Sequence, residues 1–107
     1  MTAPVTRSAA VFVHERRAGT LTQHADGTFL FAYLDGYDGP AVSLTMPVAK
    51  ASFRYDRFPA FFDGLLPEGW QLEALLRAEK LDPGDHMGQL LAVGRDTVGA
   101  VTVEPLP

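Results

Sequence analysis

Phe61-Phe62-Asp63-Gly64-Leu65-Leu66-Pro67-Glu68-Gly69-Trp70 is the stretch that orders the rest of the chain. Two aromatics, two leucines, one proline and two glycines before a lone tryptophan describe a bent, half-buried connection. Pro59 starts a short helix over residues 59–65, at a position where its missing N–H costs nothing. Leu66-Pro67 then bends the path, because a residue preceding proline avoids the helical region. A second helix runs from Pro67 or Glu68 to Lys80, with proline and a carboxylate suited to its positive end. Leu72, Leu75 and Leu76 share one arc of that helix, the side expected to pack on a sheet. At about 100° per residue, Trp70 projects almost opposite the leucines, beside Ala74 and Arg77. The alternative is that Trp70 caps the helix start by folding back over Phe61 or Phe62, since a shift of two residues in the boundary moves it.

Before this stretch the chain alternates and turns. Residues 1–8 are polar, contain Pro4, and read as a frayed lead-in. Strands are expected over 10–14 and 19–23, with Glu15-Arg16-Arg17 as a charged turn between them. Asp26-Gly27 marks a hairpin, because the two-residue turn needs positive φ, which Asp and Gly tolerate best, and leads into a third strand over 28–34. Residues 35–40 carry turn signals throughout. Residues 41–46 read as a fourth strand ended by Pro47, and 48–57 as a loop with buried aromatics such as Phe53. After the second helix, an aspartate of Asp82-Pro83-Gly84-Asp85 caps a third helix over 86–93. Gly94 stops it, and 98–103 forms the last strand. The fold class is α+β: one domain over 1–107, a small mainly antiparallel sheet of about five strands with two to three helices packed on one side.

Composition narrows the function. The 107 residues carry nine basic and thirteen acidic side chains, a net charge of −4, which disfavours direct binding of nucleic acid. No cysteine is present, so disulfides and thiolate metal sites are excluded and a cytoplasmic setting is the expectation. The most apolar N-terminal run, residues 9–13, is too short for a signal-peptide core or a bilayer span, so no membrane role is expected.

No set of residues points to catalysis. Asp63 and Glu68 form an acid–base pair only if a pocket separates their pKa values, and carboxylates at a helix start more often serve its dipole. His14, His24 and His86 lack the i, i+4 spacing of a helical metal site. Gly94-Arg95-Asp96-Thr97-Val98-Gly99-Ala100 follows a helix and has no Lys-Ser/Thr pair, so it is not a phosphate loop. No catalytic residue, metal site or cofactor is expected.

Three motifs resemble one family. Residues 61–69 resemble the FF-x-x-LLP-E/D signature near the N-terminus of HipA-type toxin kinases. Ser43-Leu44-Thr45-Met46-Pro47 resembles the S-L-S-L-P segment before it, and residues 94–101 resemble G-R-D-S-V-G-A-V, which closes the same subdomain. Gly19-Thr20-Leu21 matches V-G-x-L loosely, since Ala18 replaces the valine. The family's kinase core, with its catalytic aspartate and metal ligands, has no counterpart among these residues. As a free-standing chain the sequence resembles HipS-like small antitoxins of HipBST toxin–antitoxin systems. That resemblance implies an inhibitor acting in trans on a HipT- or HipA-like serine/threonine kinase toxin. A HipB-like helix-turn-helix protein would supply any DNA contact. Trp70 would be the anchor of the kinase interface, flanked by Phe61, Asp63, Glu68 and Arg77. The alternative is an N-terminal subdomain of a longer HipA-type kinase, with a packing or dimerisation role only.

Overall fold

In the computed structural model, which describes residues 3–97 and 99–107, five antiparallel strands form one sheet in the order β4-β3-β2-β1-β5. The strands are β1 (Val5–Val13), β2 (Arg16–His24), β3 (Phe29–Tyr33), β4 (Ser52–Tyr55) and β5 (Val101–Pro105). Alternation decides which face is covered. Ala9 pairs with Leu21, Leu21 with Phe31, and Phe31 with Phe53, all of them buried. Val11–Val103 and Val13–Val101 extend the same layer to β5. Their neighbours in sequence, such as Thr20, Thr22 and Thr102, face the other side and stay partly exposed. Three helices follow β4: α1 (Ala60–Asp63), α2 (Gly69–Glu79) and α3 (His86–Val93). From α1, Phe62 is fully buried, 6.0 Å from the Phe31 ring centre. From α3, Met87 and Leu90 join the same core. The fold class is as the sequence implied. Among the described residues no helix is long and apolar enough to cross a membrane.

Several boundaries differ from the sequence reading. The lead-in is not frayed over its second half: β1 begins at Val5, and Ala25 N–H donates to Pro4 O at 2.8 Å. Arg7 holds this end, donating to Gln23 Oε1 at 2.8 Å and to both oxygens of Asp85. The first turn is His14-Glu15, not Glu15-Arg16-Arg17. Both residues have positive φ, 49° and 67°, the geometry a two-residue hairpin of matching twist requires, and the arginines open β2. The last strand runs over 101–105, and Val98 lies outside the described residues.

The fourth strand also moves. Residues 41–46 form a turn, because local side chains offer the backbone other partners. Ser43 Oγ accepts from Thr45 N–H, and Met46 N–H returns to Ser43 O at 3.0 Å. The buried Tyr33 hydroxyl accepts from Val42 N–H at 2.9 Å and donates to Met46 O at 2.5 Å. The pairing strand is instead Ser52–Tyr55, inside the segment read as a loop.

The largest correction concerns α2. Its leucines do not pack on the sheet: α2 lies against α3, none of its residues is buried, and its leucines are only half-covered.

Candidate interaction surface

Glu68 is extended and stands as N-cap of α2, without a side-chain capping bond. Gly69 follows at φ 59°, a conformation that costs a residue with Cβ about 1–2 kcal/mol. That reversal sets the helix phase and turns Trp70 outward. Trp70 is 76% exposed, and among the described residues its ring pairs with no other aromatic; the cap over Phe61 or Phe62 does not form. Ala74 and Arg77, on the same face, are exposed as well.

The other candidates separate. Phe61 is half-buried, edge-on to Phe62 at 5.3 Å, and packs against the core. Asp63 and Glu68 are exposed and line one shallow depression of about 160 Å³ with Leu66, Leu72 and His86. Neither is desolvated, so the setting that gives paired carboxylates distinct acid and base roles is missing. Asp63 and Glu68 thus line one depression, Trp70 and Arg77 are both exposed along α2, and Phe61 packs against the core.

The histidines do not converge. His14 sits in the first turn, His24 is buried at the end of β2, and His86 lies 5.6 Å from the Phe58 ring centre. Among the described residues no group of three or more histidines and carboxylates is placed to hold a metal. Gly94 serves contact rather than phosphate binding: a Cβ there would stand 2.5 Å from Val103 O, so only glycine lets the end of α3 close on β5.

Sequence reasoning missed Leu44, which is fully exposed at 101%. A strand over 41–46 would have placed Val42, Leu44 and Met46 on one face; the turn buries the outer two and leaves Leu44 at its tip. The signal for it was the Ser43/Thr45 hydroxyl pair, 3.0 Å apart.

Three comparisons bear on this arrangement. The family profile described as "HipA N-terminal domain" matches residues 9–104. An uncharacterised protein of Haemophilus influenzae is 32% identical over 98 residues, covering 92% of this chain and 92% of that protein. A putative kinase of Sinorhizobium fredii is 33% identical over 96 residues, covering 80% of this chain but only 24% of the kinase. A solved structure of the N-terminal domain of HipA toxin superposes with a TM-score of 0.77 at 28% identity, covering 97% of this chain and 96% of that one. The three motifs, the five-stranded sheet and these matches agree: the chain belongs to the HipA N-terminal domain family.

Proposed function

We propose that this chain is an antitoxin that binds and inhibits in trans a HipA- or HipT-like serine/threonine kinase toxin. The observation that carries the reading is Trp70, 76% exposed on a helix that buries none of its residues. Tryptophan is enriched at interface hot spots, and a large aromatic left in water on an otherwise unburied helix suits a partner. Asp63, Glu68 and Arg77 would form the polar rim, and the half-buried Phe61 would support it from below. Kinase activity needs several elements assembled at once, so a protein that holds one lobe in a fixed position inhibits without chemistry of its own. The Haemophilus relative supports a separate small protein, since this domain accounts for 92% of its length. In this reading the complex forms in the cytoplasm, and a HipB-like helix-turn-helix protein supplies the DNA contact, as the acidic balance of this chain favours.

The putative kinase relative favours a second reading, because there the matched region is 24% of a longer chain. In that case the domain packs or dimerises as part of one kinase polypeptide. Co-expression separates the two. A kinase lacking this domain is expressed with the wild-type chain or with Trp70→Ala, and growth is followed. The antitoxin reading expects rescue by wild type and markedly poorer rescue by the variant. No rescue by wild type, with the kinase active, contradicts it.

A further inference from the structure

A groove of about 480 Å³ runs between the α1–α2 bend and the C-terminal end of α3. Leu65, Leu66, Pro67 and Leu75 form one wall, and Ala92 and Val93 the other. Polar side chains line it as well: Gln71, Asp96 and Thr97. Small-molecule sites are clefts that enclose most of the ligand, whereas this trough between two helices is open. It instead has the shape of a helix-in-groove site, which takes apolar side chains from one face of an amphipathic segment.

Charge identifies the occupant. Residues 60–96 hold seven acidic and three basic side chains, which is the whole of the chain's −4; the rest of the chain has six of each. Among the described residues the ion pairs are Arg7–Asp85, Arg16–Asp38 and Arg95–Glu104, so Asp96 in the groove remains unneutralised, as do Asp63 and Glu68 in the adjoining depression that shares Leu66 and Pro67 with it. An anionic membrane or a nucleic acid would be repelled. We infer that the groove is a docking site for an amphipathic helical segment of a partner protein, with apolar side chains seated between Leu66 and Val93 and lysines or arginines against the acidic rim. The groove lining does not include Trp70, and docking there does not require the partner to be a kinase.

The probe is a synthetic leucine–lysine amphipathic helix of about 18 residues, five turns, titrated into isotope-labelled protein and followed by amide chemical shifts. A leucine–glutamate counterpart and a lysine-rich peptide without an apolar face are titrated alongside. The leucine–lysine helix is expected to shift the amides of residues 64–66, 71–75 and 92–97, and to bind more weakly as salt is added. Ala92→Arg, at an exposed position in the groove wall, is expected to weaken binding about ten-fold. Ala25→Arg makes the same charge change at an exposed turn between β2 and β3 and is expected to leave binding within about two-fold. Should Ala92→Arg lose its folded spectrum, Gln71→Arg, exposed on the opposite wall, takes its place. Equal binding of the glutamate or purely basic peptide overturns the inference. So do shifts centred on another surface, equal weakening by both arginine variants, or groove shifts from self-association without peptide.

Discussion

The Tyr33 hydroxyl ties the 41–46 turn to the sheet, accepting from one end and donating to the other. Burial pushes its pKa up, with the Val42 hydrogen bond working against that rise. Tyr33→Phe strands a buried N–H and a carbonyl, so denaturant unfolding should show a loss of about 1–3 kcal/mol. Phenylalanine preserves the ring stacking on Tyr37, 5.5 Å away, so that loss reports the hydroxyl. Asp85 makes a second long-range clamp. It caps α3 through Gly88 N–H and holds Arg7 of β1. The Arg7 hydrogen bond holds its carboxyl below the usual carboxylate range, against a smaller opposing effect of burial. A carboxylate with a depressed folded pKa stabilises fully above its unfolded value, and that contribution fades as pH falls through the folded value. Asp85→Asn should therefore be less stable than wild type at about pH 7, with the gap closing as pH falls below the ordinary carboxylate range. Urea unfolding across that range checks it; a gap that stays constant in acid would show that the charge contributes nothing.

Between elements, stability is unevenly shared. The β1–β2 hairpin is at the centre of the sheet and its inward residues Ala9, Val11 and Leu21 are fully buried, whereas α2 has no buried residue and leans on α3 with half-covered leucines. Local opening follows burial, so amides of α2 should exchange with solvent much faster than those of β1 and β2. Hydrogen-exchange mass spectrometry reads this directly; equal protection would mean that α2 belongs to the cooperative core. The sequence showed α2 as a leucine arc, but an arc does not say what covers it. Elements with a strong local cause were legible: the helix after Pro59, and α3 with its Asp85 cap. Asp26-Gly27 does lie in the β2–β3 connection, but that loop spans residues 25–28 and only Gly27 of the two has positive φ, 88°, so the two-residue turn expected there does not form. Strand β4 was not legible, because its alternation, with Phe53 and Tyr55 inward and Ser52 and Arg54 exposed, lasts only four residues. The 41–46 segment misled for the opposite reason, since Val42, Leu44 and Met46 imitate a strand that Tyr33 and Ser43 prevent. For Trp70 the helix phase left two positions open, outward or folded over Phe61 or Phe62, because the phase depends on the helix start at Gly69.

At the scale of the molecule, a neutral sheet half supports an acidic helical half that carries an exposed tryptophan and an apolar groove. Fold and family follow from packing and motifs; the partner is a proposal that rests on what the helical half leaves uncovered. A central tryptophan is worth ~2 kcal/mol or more at an interface, which is ~30-fold in affinity. The direct measurement is calorimetric titration of a purified HipA- or HipT-like kinase lacking this domain with wild-type protein and with Trp70→Ala. Because Trp70 is exposed, the variant should keep its fold, so a change in affinity reports the interface. The account predicts a saturable complex with wild type and ~30-fold weaker binding by the variant. Equal affinity of the two proteins, or no complex with wild type, would contradict it.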